Sequence, residues 1–153
     1  MTDASSDMAR PVTPLLTADI IIELLDQPGR PIVLILRKFP PPGWAIAGGF
    51  VDVGETVEQA AVREAREETG LGVQLKALLG VYSNPERDKR GHTVSVVYVA
   101  EARGRPEARD DAAEVGVYEV TALPSKLAFD HARILEDYLG YRRTGRTPAL
   151  FTG

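Results

Sequence analysis

The stretch GGFVDVGETVEQAAVREAREETGL, residues 48–71, runs from a glycine-rich turn into one short helix. Thr56 followed three positions later by Gln59 forms a capping box, in which each side chain serves the other residue's backbone N–H. Gly70 supplies a residue free to end the helix in a left-handed conformation. At about 100° of rotation per residue, Glu64, Glu67 and Glu68 share one stripe of that helix, and Val57, Ala61 and Ala65 form the stripe beside it. The carboxylates therefore border the packing face instead of lying opposite it. Together at such a border they repel one another and resist desolvation unless a cation neutralises them. Hard oxygen donors of this kind suit Mg²⁺ or Mn²⁺. On helix composition alone, a solvated acidic face with an i,i+4 pair such as Arg63–Glu67 accounts for the same residues.

Outward from this segment, residues 18–25 (ADIIIELL) and 31–38 (PIVLILRK) are apolar, β-branched runs joined by Asp26-Gln27-Pro28-Gly29, which predicts a β-hairpin. Pro40-Pro41-Pro42-Gly43 forces a loop, and residues 44–47 read as a short extended piece leading into the glycine turn. Beyond the helix, residues 73–82 and 93–100 are strand candidates around a polar connection, residues 83–92 (SNPERDKRGH). Residues 103–113 read as a charged loop and 115–120 as a last strand. Asp130 is placed to N-cap a final helix reaching about Tyr141 and stopping near Gly140 or Gly145. Strands interleaved with two separated helices imply an α/β sandwich with a central mixed sheet. Residues 1–14 read as a mobile leader, 15–142 as the single domain and 143–153 as a C-terminal tail.

The 153 residues suffice for one domain with a proper core. Hydrophobic residues at 44% and charged residues at 26% are ordinary for a soluble protein. The absence of cysteine excludes disulfides and thiolate metal sites, and fits a cytoplasmic setting. No apolar run approaches the ~20 residues of a membrane span, so no membrane partner is expected. A net charge of −4 argues against a nucleic-acid partner, and requires bound metal or a local basic patch wherever an anionic substrate docks.

The spacing of Gly49, Glu55, Arg63-Glu64, Glu67-Glu68 and Gly70-Leu71 resembles the complete signature of the Nudix hydrolases, with Ala65 standing where a larger aliphatic residue is commoner. The resemblance implies a Nudix-type α/β/α sandwich whose signature forms a loop-helix-loop metal site. It implies Mg²⁺, with Mn²⁺ as the alternative, held by Glu64, Glu67, Glu68 and the carbonyl of Gly48. The reaction implied is metal-dependent hydrolysis of a phosphoanhydride bond in a nucleoside diphosphate derivative. Glu64 is favoured over Glu68 as the water-activating base. Gly49, Glu55 and Arg63 are assigned to holding the loop in shape, because Glu55 can accept helix N-terminal N–H groups and Arg63 can pair with Glu55 or Glu67. Glu114 is the first choice for an additional acid from the downstream loop, ahead of Asp111 and Asp110.

Residues 82–98, with DDAAE and LAFDHARIL further on, resemble the ADP-ribose pyrophosphatase branch, and Pro85 about fifteen positions past the signature is a mark of that specificity. ADP-ribose yielding AMP and ribose 5-phosphate is accordingly the first expectation. The competing ones are a nucleoside triphosphate pyrophosphohydrolase and a non-catalytic ADP-ribose sensor. Family members are commonly homodimers. Ile46-Ala47 departs from the usual Leu-Pro pair, which predicts a looser loop entry. Arg37, Lys38, Arg87, Lys89 and Arg90 are candidates to meet the diphosphate, and Tyr82 or Trp44 to stack on adenine. His92 and His131, lacking partners at metal-ligand spacing, are expected to make structural hydrogen bonds.

Overall fold

The structure, a computed structural model, describes residues 10–150. Of the expected leader, residues 1–9 lie outside the described residues, as do residues 151–153 of the tail. Nine elements follow in the order β1 (Leu15–Leu24), β2 (Ile32–Arg37), β3 (Trp44–Ala45), β4 (Ala47–Phe50), α1 (Val57–Thr69), β5 (Gln74–Tyr82), β6 (Thr93–Ala102), β7 (Ala112–Tyr118) and α2 (His131–Thr144). The expected hairpin is present but brief. β1 and β2 pair only at Ile22↔Val33 and Glu23↔Ile32 before they diverge. The wedge between them is filled by β3, which pairs with β2, and β4, which pairs antiparallel with β1 from Thr17↔Phe50 to Ile20↔Ala47. Along its other edge β1 runs parallel to β6, so the sheet is mixed, in the order β3-β2-β1-β6-β5 with β7 added on β2. Ala47, in the place where a proline is usual, thus sits in the β1 ladder, and the entry to the glycine turn is paired backbone instead of a loosened loop.

The central strands read as continuous apolar runs because both faces of the sheet are covered. Ala18, Ile20, Ile22, Val33 and Ile35 point to the face that packs against Ala60, Ala61 and Ala65 of α1. Ile21, Ile32, Leu34, Val97 and Val99 point the other way, onto Ile134, Leu135 and Tyr138 of α2. One helix on each face gives the α/β/α sandwich. The three alanines let α1 lie close to the sheet, which brings its border glutamates down to the strand ends. α1 starts with the capping box, Thr56 Oγ1 accepting from Gln59 N–H and Gln59 Oε1 from Thr56 N–H, and ends at Gly70 with φ +75°. Replacing such an N-cap by alanine costs about 1 kcal/mol.

Two expectations for the C-terminal part are corrected. The last strand begins at Ala112, so Glu114 is a strand residue and not part of a loop. Of the two stops expected for α2, Gly145 at φ +76° is the one used, and the helix runs through Thr144 into the expected tail. Asp130 precedes α2 but makes no side-chain cap hydrogen bond, because its carboxylate is engaged by Arg87. Near the far end of α2, the buried Glu23 accepts from Tyr138 Oη at 2.6 Å and lies within ion-pair distance of Lys76, Arg30 and Arg142. That cluster ties the C-terminal half of α2 to β1 and β5.

Candidate active site

Where β1 and β2 part, a cleft of about 430 Å³ opens, and the residues around it divide into two walls. The first comes from the loop and helix at residues 48–68. Arg63 organises it, donating from Nε to Glu55 Oε2 at 3.0 Å, from Nη2 to Glu55 Oε1 at 2.5 Å and to the Phe50 carbonyl at 3.0 Å. Glu55 in turn accepts the Asp52 N–H at 2.8 Å. These bonds, the Arg63 one foremost, hold the Glu55 carboxyl down at about 2 and raise the Arg63 guanidinium further. Arg63 Nη1 also reaches Glu64 Oε1 at 2.8 Å and Glu67 Oε2 at 3.1 Å. Arg63 and Glu55 thus brace the backbone from Phe50 to the start of the helix.

Glu64 and Glu68 line the cleft, whereas Glu67 is turned toward Arg63 and its side chain is 45% exposed. Glu68 is buried and accepts the Gly48 N–H at 3.0 Å. Burial pushes its carboxyl up to about 8; the Gly48 bond opposes that, and the charges of Glu64 and Asp19 add to it. Glu64 is raised mainly by burial, against the pull of Arg63. The glycines are required by this crowding. A Cβ on Gly49 would stand 2.6 Å from the Glu64 carboxylate, and one on Gly48 would overlap Asp19 Oδ1.

Sequence reasoning passed over Asp19. It sits within an otherwise apolar strand, buried, accepting from Ser95 Oγ and from Thr17 Oγ1 at 3.4 Å, with burial lifting its carboxyl to about 6. A carboxylate inside the ADIIIELL run was the signal that could have found it, since a lone acid at a buried strand position needs a reason.

Buried acids whose pKa values are raised mark a fold that gathers more negative charge than its own cations offset. That is the condition a hard divalent ion relieves, and Glu64 and Glu68 supply oxygen donors to the cleft that Gly48 also lines, where its carbonyl is a further candidate donor. Among the described residues no three carboxylate or histidine side chains are already gathered as a complete ligand set. The fit therefore rests on those two glutamates, the carbonyl and water, with Glu67 held aside by Arg63.

The second wall is basic and comes from distant segments. Arg37 at the end of β2 donates from Nε to the Pro41 carbonyl at 2.9 Å, and its guanidinium lies 4.8 Å from the centre of the Phe129 ring. Arg90 stands 5.1 Å from the same ring and donates from Nη2 to Asp88 Oδ2 at 2.8 Å. Arg87 is only 4% exposed: it grips both Asp130 oxygens, at 2.9 and 2.7 Å, and Thr93 Oγ1 at 2.8 Å. It lines the cleft as a buried ion-pair residue, its charge already engaged by Asp130. Lys38 donates to the Asp110 carbonyl, and neither it nor Lys89 lines the cleft.

Other candidates fall elsewhere. Tyr82 donates to Asp137 Oδ2 at 2.7 Å on the α2 side of the sheet, and Trp44 packs edge-on against Tyr118 with ring centres 5.3 Å apart. Neither reaches the cleft, where the aromatic residues are Phe39, Phe50 and Phe129. Glu114, the first choice for an additional acid, lies opposite Leu36 outside the lining, while Asp111 lines the cleft. His92 bonds the Ser83 carbonyl as expected of a structural histidine, and His131 lies in the cleft.

Against known proteins, the chain matches the NUDIX domain model over residues 14–138. It is 47% identical over 132 residues to the ADP-ribose pyrophosphatase of Methanocaldococcus jannaschii, an alignment spanning 84% of this chain and 75% of that one. The Nudix domain of Shewanella oneidensis NrtR, solved in complex with ADP ribose, superposes with a TM-score of 0.75 at 27% identity, over 94% of this chain and 100% of that one. A bifunctional NMN adenylyltransferase/ADP ribose pyrophosphatase from Francisella tularensis, solved with AMP and a Mn ion, gives a TM-score of 0.69 at 27% identity, over 86% of this chain and 43% of that one.

Proposed function

From a chain that belongs to the Nudix hydrolase family, we propose an enzyme that splits ADP-ribose into AMP and ribose 5-phosphate with the help of a divalent cation. One observation carries the substrate reading: a single cleft sets desolvated carboxylates against a pair of arginines stacked on one aromatic ring. A diphosphate needs both, cation-binding oxygens on one side and fixed positive charge on the other. The 47% identity to an ADP-ribose pyrophosphatase supports the same choice.

Glu64 and Glu68, with the Gly48 carbonyl, would hold Mg²⁺, or Mn²⁺ in its place. When bound, such an ion neutralises phosphate oxygens and acidifies a bound water. The residues of the chain then divide the remaining work. Glu64, raised by burial and oriented by Arg63 Nη1, accepts the proton of the attacking water. Arg37 and Arg90 hold the diphosphate oxygens so that the leaving phosphate departs with its charge compensated. The phosphoanhydride P–O bond breaks as the water oxygen bonds to phosphorus, and the proton ends on the products. Arg87, locked on Asp130, keeps the loop of Arg90 and the start of α2 together. The same reading carries a cytoplasmic enzyme acting as a homodimer.

A nucleotide panel assayed with and without Mg²⁺ tests this directly. AMP and ribose 5-phosphate should appear from ADP-ribose only when metal is present. Preference for a nucleoside triphosphate, with release of pyrophosphate, would overturn the substrate, and binding of ADP-ribose without any AMP would overturn the enzyme.

A further inference from the structure

His131 opens α2 and lines the cleft, yet the reaction outlined above gives it no task. Its Nδ1 accepts the Ile46 N–H at 3.1 Å, so the neutral ring carries its proton on Nε2. Burial holds the imidazole at about 4, well below its usual range; Asp130 pulls the other way, and the charges of Arg87 and Arg37 add to the depression. The ring is thus a neutral donor with a fixed tautomer at physiological pH. No protein acceptor stands at Nε2 among the described residues, where no wholly buried side-chain nitrogen or oxygen lacks a partner. Nε2 therefore keeps a small opening, and the space this residue lines is the cleft.

The placement is held from several sides. The backbone before α2 is laced to β3: Trp44 N–H donates to the Lys126 carbonyl at 3.1 Å, and the Trp44 carbonyl accepts the Ala128 N–H at 2.8 Å. The Ile46–His131 bond continues that lacing. Phe129, whose ring centre is 5.3 Å from that of His131, is held at φ +55°, a conformation bulky residues seldom adopt. Ile46 is two residues before Gly48, whose N–H fixes Glu68. One nitrogen of the imidazole therefore grips the backbone that leads to the acidic wall, while the ring as a whole stands beside Phe129, which also carries Arg37 and Arg90.

We propose that His131 is a substrate-binding residue whose Nε2–H donates to a non-bridging oxygen of the diphosphate, where the acidic and basic walls meet. A further cation beside Arg37, Arg87 and Arg90 would be repelled, whereas a neutral N–H adds a hydrogen bond without adding charge. The inference rests on the cleft being a diphosphate site.

Two replacements separate the two edges of the ring. His131→Asn keeps an acceptor near Nδ1 for Ile46 and removes the donor, while His131→Gln extends an amide N–H toward the Nε2 position. Calorimetry with inorganic pyrophosphate and Mg²⁺ should show binding weakened about tenfold in His131→Asn, with the melting temperature little changed, and largely recovered in His131→Gln. The KM for ADP-ribose should rise by a similar factor in His131→Asn while kcat moves less. Unchanged pyrophosphate affinity in His131→Asn, or no recovery in His131→Gln, would overturn the donor role. The wild-type chain gives an independent reading. It has two histidines, so with His92→Gln to identify the other signal, the His131 Nε2–H resonance should shift on adding pyrophosphate, and a stationary signal would overturn the inference. Pyrophosphate needs no ADP-ribose turnover. A chain inert toward ADP-ribose whose pyrophosphate binding still depends on His131 would refute the substrate and support the donor.

Discussion

The glutamates of the acidic wall are carried by one continuous stretch, Gly48 to Glu68, with Asp19 the one acid added from β1, whereas the basic wall gathers Arg37, Arg87, Arg90 and residues 129–131 from segments that meet only in the folded sheet. In the first, helix periodicity and a capping box fix where each carboxylate stands, and Arg63 closes the loop with bonds to Glu55, Glu64, Glu67 and the Phe50 carbonyl. In the second, strand pairing and ion pairs do the placing, and most of its charges are already engaged. Arg87 is locked on Asp130 and Arg90 on Asp88, while Arg37 is held by carbonyls alone. A wall built locally can lose a charge and keep its shape. A wall assembled from distant pieces depends on those charges for its shape.

Glu68→Gln is the sharpest way to test the first half of that contrast. Glutamine retains an oxygen for the Gly48 N–H but loses the negative charge, so kcat should fall about a thousandfold while the melting temperature holds. Near-normal turnover would remove Glu68 from the chemistry. Arg87→Met tests the second half. Removing a guanidinium that is 4% exposed leaves Asp130 without its partner, and unfolding by denaturant should show a loss of about 3 kcal/mol. If Arg87→Met were as stable as wild type and only slower, the basic wall would be as self-supporting as the acidic one.

This difference in construction also explains what could be read from the sequence. Glu64 and Glu68 were legible because they lie four residues apart on one helix, where spacing converts directly into geometry. Glu67 was legible as a neighbour but not as the one turned toward Arg63, which rotamers decide. Tyr82 failed for a different reason. Strand alternation leaves two faces open until the helices are placed, and its side chain went to α2. Arg87 looked like a cation available to the diphosphate because its partner Asp130 is 43 residues away. Asp130 in turn looked like a helix cap because nothing local announced Arg87. His131 gave no sign of facing the cleft, since only the bonds of Trp44 to Lys126 and Ala128, and of Ile46 to His131 itself, put it there.

Arg37→Ala should have a smaller effect than either change above. Its guanidinium supports no buried carboxylate, so stability should be nearly kept, and the KM for ADP-ribose should rise about tenfold with kcat less affected. A loss of stability as large as that of Arg87→Met would contradict the division between bound and available cations. Smaller again is an effect of pH on the metal-free protein. Asp19 and Glu68 bind protons more tightly folded than unfolded, which makes stability fall as pH rises through about 6 and about 8. His131, depressed to about 4, works oppositely between there and its ordinary value near 6.5. Above 6.5 that opposition is spent. The melting temperature without metal should therefore decline between pH 6.5 and 8, and saturating Mg²⁺ should flatten the decline. A metal-free protein that gained stability over this interval would contradict the charge crowding of the acidic wall.

The smallest expected effect belongs to Glu114→Gln, and its smallness is informative. As sequence, Asp110, Asp111 and Glu114 are acids of one charged stretch, with Glu114 the first choice. In the sheet they separate, because the register between β2 and β7 shifts at Leu36/Arg37, pairing Glu114 with Leu36 but Ala112 with Arg37. Asp111 thereby arrives at the end of β2 where Arg37 meets the cleft, and Glu114 remains exposed, its charge acting on the Tyr118 phenol instead. Glu114→Gln should leave kcat/KM within about twofold and stability within about 0.5 kcal/mol of wild type, measured by steady-state kinetics with Mg²⁺ and by denaturant unfolding. A large drop in metal-dependent turnover would mean that the strand carrying Glu114 delivers a carboxylate to the reacting centre. The acidic wall would then not be local to residues 48–68, and the contrast between the two walls would fail at its simpler side.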